Sequence, residues 1–270
     1  MSKLLKKYFG VSKPIIVMVH FPPLPGSPLY DGKSSEDPVE WVRHDLLVLQ
    51  EEGVDAVMFG NEADRPYKIQ ADVASPTSMA YAIGRLRSEI KVPFGVDVLW
   101  DPHSTLALAK ATGATFVREI FTGIYGSDMG IWNTSPGEVF RYKRLLEVDD
   151  LLLLYNINAE FAAPLAMRPI EVVAKSVVVS SLAQAICISG PITGEETNLE
   201  DLKKVKEVVG EEIAILANTG VNAKNVEKML KVADGIVLGT SLKKEGITWN
   251  QIDRERTKRF MEVVNKARGT

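Results

Sequence analysis

The chain has 270 residues, a formal net charge of −3, 46% hydrophobic and 25% charged residues, and one cysteine. That balance excludes general disorder and any global basic field for nucleic acid. A lone thiol excludes an intrachain disulfide and fits a reducing cytoplasm, and no apolar run approaches the roughly twenty residues of a membrane span.

The first twelve residues carry a short, basic, amphipathic stretch, Ser2 to Phe9, read as a helical extension at about 1–12 that covers the floor of the fold rather than touching a membrane. A first strand over 15–20 ends at His20, and the loop 21–35 after it is stiffened by four prolines into a preformed wall. Helix 36–53 stops at Gly53, and strand 55–60 delivers Asn61, Glu62 and Asp64. Helix 76–91 leads to strand 94–99, with Asp97 and then Asp101 at its end. Helix 103–113 stops at Gly113, and strand 116–121 brings Arg118 and Glu119. Residues 122–136 hold three glycines flanking aromatics and read as a flap that closes over ligand.

Helix 137–147 precedes strand 151–157, which introduces Asn156, Asn158 and Glu160. After helix 169–182, strand 185–189 holds Cys187 as a buried thiol and ends at Ser189. Helix 199–209 is capped by Asn198 and stopped by Gly210. Strand 213–218 runs into Asn218-Thr219-Gly220, and Asn222 caps a helix over 222–232. Strand 235–239 reaches Gly239-Thr240-Ser241, and a last helix covers 253–267. Eight strand–helix units without a linker predict one α/β domain over 1–270, a (β/α)8 TIM barrel; the glycine-rich first turn of a doubly wound sheet is absent.

Catalytic groups of such barrels stand at the C-terminal strand ends. Unpaired ions buried there are costly, so the acids after strands two to four have three resolutions. They form a salt-bridge network with Arg118 and Arg65, they hold a hard cation such as Mg²⁺, or they carry protons without a metal. Glu62 and Glu119 are the candidate proton carriers, with Asp97 between them. His20 is a candidate to donate to a substrate oxygen or relay a proton, the alternative being a bond to a neighbouring carboxylate, and Asn156 orients the substrate. No strand holds a Schiff-base lysine, and Ser189 lacks a nucleophile elbow.

The last three units share another pattern. Gly190, Thr193 and Gly194 follow strand six, Asn218, Thr219 and Gly220 strand seven, and Gly239, Thr240 and Ser241 strand eight. Glycines admit an anion to the backbone, and hydroxyls and N–H groups supply donors, so these residues are the candidate phosphate cradle. The plainer alternative is that the glycines only turn strands into helices. Trp100, Trp132, Tyr125 and Tyr30 are candidates to wall the mouth.

The segment Met18-Val19-His20-Phe21-Pro22-Pro23-Leu24-Pro25-Gly26-Ser27-Pro28 resembles the signature of the BtpA family, as do Phe161 to Leu165, Ser189 to Gly194 and Ala233 to Lys243. The resemblance spans most of the chain and implies a TIM barrel of the ribulose-phosphate-binding kind. It implies either an enzyme (isomerase, lyase or hydrolase) acting on a phosphorylated sugar or nucleoside, or a non-catalytic assembly factor of the photosystem I biogenesis type. A homo-oligomer is expected. Where relatives read His-Val-Lys-His-Ala, this chain has Asn156-Ile157-Asn158-Ala159-Glu160, and Val96 to Asp101 stand where the family more often has asparagines. No role for a histidine or lysine after strand five carries over.

Overall fold

Runs that are apolar at nearly every position, such as Ile15–His20 and Ala185–Ser189, become strands buried on both faces. The computed structural model describes residues 3–32 and 36–269; positions 1–2 of the N-terminal extension, 33–35 of the proline loop and 270 lie outside the described residues. Eleven strands are formed among the described residues: β1 (Ile15–His20), β2 (Ala56–Gly60), β3 (Phe94–Asp97), β4 (Phe116–Glu119), β5 (Ile124–Ser127), β6 (Gly130–Asn133), β7 (Leu152–Asn156), β8 (Ala162–Pro164), β9 (Ala185–Ser189), β10 (Ala214–Asn218) and β11 (Gly235–Leu238). The helices are α1 (Lys3–Phe9), α2 (Glu36–Glu51), α3 (Ala74–Leu86), α4 (Pro102–Thr112), α5 (Pro136–Leu145), α6 (Ile170–Ser180), α7 (Leu199–Val209), α8 (Val226–Leu230) and α9 (Arg254–Arg268).

Eight strands close into a parallel barrel in the order β1-β11-β10-β9-β7-β4-β3-β2. The fold is therefore the (β/α)8 TIM barrel. Side chains alternate along each strand, so two cores form. Val17, Phe59, Val117, Ile186, Ile215 and Ile236 face outward and pack under the helices. Ile16, Met58, Phe116, Leu154, Cys187 and Leu216 fill the barrel interior. Leu5 and Phe9 of α1 seal that interior from below, Phe9 meeting Phe116 edge-on at 5.1 Å between ring centroids. Cys187 lies among these apolar groups, and burial pushes its thiol up to about 12, which leaves it inert.

Two local expectations need correction. The segment 122–136 is not an open flap: β5 and β6 form a hairpin, and β8 adds a third antiparallel strand in the order β6-β5-β8. Tyr125 and Trp132 are buried partners across it, and Gly123 is a packing glycine whose Cβ would lie 2.7 Å from the Tyr125 ring. Asn222 does not cap a helix over 222–232. Its side chain accepts from Lys224 N at 2.9 Å and its N–H donates to Asn225 Oδ1 at 2.8 Å, closing a turn that delays α8 to Val226. Asn198 does cap α7, and Gly113 and Gly210 stop α4 and α7 with positive φ.

Candidate functional site

Period-two alternation writes the polar layer above the inner core. Met18, Phe116, Leu154, Cys187 and Leu216 point inward, so His20, Arg118, Asn156, Ser189 and Asn218, two residues on, point inward one level higher. Asp97 joins them from the end of β3 and is fully buried. Arg118 Nε lies 3.1 Å from Asp97 Oδ2, and Nη2 reaches the same oxygen. Arg118 Nη1 donates to Asn218 Oδ1 at 2.9 Å across the barrel. Asn218 Nδ2 and Asn156 Nδ2 then donate to Ser189 Oγ at 2.7 and 2.8 Å, and Asn158 brackets the Ser189 backbone.

The acids at the strand ends separate into different tasks. Asp64 accepts from Leu24 N at 2.8 Å and anchors the proline loop, while Asn61 Oδ1 takes Leu99 N at 2.8 Å. Asp101 caps α4 through His103 N and Ser104 N. Glu119 falls in the opposite phase from Arg118 and does not line the cavity described below. Its Oε2 takes Ile120 N at 3.0 Å. Burial first, and the Asp97 charge second, raise its carboxyl well above the usual carboxylate range.

Glu62 and Glu160 are the acids that open on the mouth cavity, a space of about 230 Å³. Thr193 stands between them, its Oγ1 3.2 Å from Glu62 Oε1 and 3.0 Å from Glu160 Oε2. Burial, reinforced by the Glu160 charge and opposed by Arg118, pushes Glu62 up to about 7. Burial raises Glu160 too, against Arg118 and the hydrogen bond from Thr193.

The turns after β10 and β11 line the same cavity through Thr219, Gly220, Gly239, Thr240 and Ser241, joined by Gly194 and Asn218. Gly190 is not part of the lining. Its N–H donates to Thr219 Oγ1 at 2.8 Å, and a Cβ there would lie 2.2 Å from Glu195 O. Gly220, with φ +64°, meets the same carbonyl equally closely, so the Glu195 backbone is wedged between the two turns. Among the described residues no hydrogen bond engages the N–H groups of Gly220, Thr240 or Ser241. The hydroxyls are committed elsewhere: Ser241 Oγ donates to Val221 O at 2.7 Å and Thr219 Oγ1 to Glu195 O at 3.3 Å. Thr240 Oγ1 pairs with Thr248 Oγ1 at 3.0 Å, with either hydroxyl able to donate.

His20 lines the cavity beside Gly239, with Nδ1 3.3 Å from Thr248 O. It is bonded to a carbonyl rather than a carboxylate. Burial and then the Lys243 charge hold it well below its usual value, so the ring is neutral and keeps an acceptor nitrogen, Nε2. Lys243 is wholly buried and bound to Asp45 Oδ2 on α2 at 2.7 Å, a structural tie.

Arg118 pairs with Asp97, whereas Arg65 lies over the Trp249 ring, 3.6 Å from its centroid. Among the described residues no group of three or more His, Cys, Asp or Glu is placed to hold a metal ion. Trp100 walls the cavity and stacks edge-on against Trp132 at 5.1 Å, with Tyr125 behind and Tyr30 outside the lining. Glu160, read at the end of strand five but not among the proton carriers, lines the cavity, and Thr193, nominated for the phosphate cradle, stands between the two glutamates.

A family model described as the BtpA family matches residues 11–266. The chain belongs to the BtpA family. Within it, the chain is 44% identical over 268 residues to the putative sgc region protein SgcQ of Escherichia coli, covering 98% of both chains. It is 30% identical over 259 residues to the photosystem I biogenesis protein BtpA of Synechocystis sp., covering 95% of this chain and 89% of that one. In fold, this BtpA-family barrel is similar to thiamine phosphate pyrophosphorylase from Pyrococcus furiosus, with TM-score 0.57, 17% identity and coverage of 95% and 96%. It is also similar to N-(5'-phosphoribosyl)anthranilate isomerase from Pyrococcus furiosus, with TM-score 0.55, 13% identity and coverage of 94% and 99%. Among the described residues no helix is long and apolar enough to cross a membrane.

Proposed function

We propose that this chain is an enzyme performing acid–base chemistry on a small phosphorylated sugar or nucleoside metabolite. One observation carries the reading. Gly220, Thr240 and Ser241, whose N–H groups take no hydrogen bond among the described residues, line one cavity of about 230 Å³ together with Glu62 and Glu160. The turns are suited to seat a phosphate after β10 and β11, and the glutamates to move protons on the remainder of the ligand. Neutral His20 adds an acceptor for a ligand hydroxyl or N–H. The names of the two structural neighbours speak of phosphate-bearing compounds, in keeping with a phosphate seat at this end of the barrel.

Thermal unfolding with and without inorganic phosphate, followed by mass spectrometry of a phosphorylated-metabolite mixture before and after incubation, tests the proposal. The expected outcome is stabilisation by phosphate and consumption of one component. Glu62→Gln should abolish consumption and keep the stabilisation. No stabilisation and no consumption would falsify the reading. The photosystem I biogenesis relative, aligned over 95% of this chain, favours a second reading, a non-catalytic assembly or regulatory factor with the cavity as a sensor. Stabilisation by phosphate with an unchanged mixture would select it.

A further inference from the structure

The contacts of Thr193 constrain where protons sit. A hydroxyl has one proton and donates in one direction, yet Oγ1 is within hydrogen-bond distance of both Glu62 Oε1, at 3.2 Å, and Glu160 Oε2, at 3.0 Å. The second contact is a hydrogen bond only when the facing carboxyl is protonated and donates to Thr193. Burial and the neighbouring Glu160 charge, which push Glu62 up to about 7, favour Glu62 as the holder of that proton.

We infer that Glu62, Thr193 and Glu160 form a one-proton relay, with Glu62 as the acid, Glu160 as the base and the Thr193 hydroxyl as the bridge between them. The other groups around the pair are Arg118 and Asp97 below, Tyr67, whose hydroxyl donates to Glu62 O at 3.0 Å, and Lys243 behind His20. The consequence for chemistry rests on the enzyme reading above. Glu160 breaks a substrate bond to hydrogen and keeps the proton, while Glu62 gives its own proton to a substrate oxygen. The proton on Glu160 then passes to Thr193 Oγ as the Thr193 proton passes to Glu62, which restores the starting state. No proton is taken from solvent, and no oxidant or co-reactant enters. The fitting conversions are those that take one proton and return one, as isomerisation and elimination do within a single phosphorylated substrate.

Carboxyl-carbon NMR of the ligand-free full chain, labelled at glutamate and titrated with acid and base, tests the relay without any metabolite. The expected result is one glutamate titrating near neutrality, absent in Glu62→Gln. In Thr193→Val both mouth glutamates shift their midpoints by on the order of one pH unit, and Thr193→Ser restores them. Should both acids of the unaltered protein titrate in the ordinary carboxylate range, the relay is wrong, and the wild-type measurement alone decides that. Equally, unmoved midpoints in a folded Thr193→Val would overturn it. Neither result depends on phosphate binding, so loss of the relay and loss of the metabolite reading are told apart.

Discussion

For single side chains, burial and neighbouring charge decide which acid does what. Glu62 is 5% exposed, and its folded value of about 7 compares with an ordinary 4.5. The native chain thus holds this proton over a pH range in which the unfolded chain has lost it. The stability contributed by protonated Glu62 is complete below about pH 4.5 and is lost as pH rises through 7. Between pH 5 and 8 this group should cost the protein on the order of 3 kcal/mol, and Glu62→Gln should remove that part of the slope. Urea unfolding at the two pH values measures it, and parallel losses in both proteins would contradict the argument. Period-two alternation makes His20, Asp97, Arg118, Asn156 and Asn218 legible as an inward polar layer. It does not reveal that the Asp97 charge acts on the buried Glu119 carboxyl, because that depends on how two strand ends meet.

Among the elements, α1 has only seven residues yet closes the barrel floor. Leu5 is wholly buried and Phe9 nearly so, both against the inner core. Truncating Phe9 to alanine removes the edge contact with Phe116 and leaves a cavity at the barrel floor. The expected cost is about 3–5 kcal/mol, read by chemical denaturation. A loss under about 1 kcal/mol would mean that α1 does not close the barrel. The β5–β6 hairpin shows where local reading fails. Its glycines suggest mobility, yet Gly123 is small because Tyr125 lies against it, and Tyr125 and Trp132 pack behind Trp100. Pairing with β8, whose nearest residue lies some thirty positions after β6, is a non-local event with no local signal.

Across the whole molecule, Arg118 joins opposite walls, taking Asp97 on β3 with one side of its guanidinium and Asn218 on β10 with the other. Arg118→Met should cost about 3–5 kcal/mol, because it leaves Asp97 buried without its countercharge. Adding Asp97→Asn to that variant should recover a large part, since the unpaired ion is then gone. Denaturation of the single and double variants measures the coupling; equal losses would show that the pair contributes no specific term.

The amino-acid sequence by itself determined the eight-unit barrel, the orientation of its ends, and the polar layer above an apolar core. Each follows from periodicity and turn chemistry, which are local. Tertiary structure decided which of the nominated acids share a space. Glu62 and Glu160 are 98 positions apart, and Thr193 joins them only because the barrel closes and brings the loops after β2, β7 and β9 over one mouth. It also turned Gly190 into a packing contact and Asn218 into a brace for Arg118, since a residue's neighbours in space set its hydrogen bonds and no spacing along the chain encodes them.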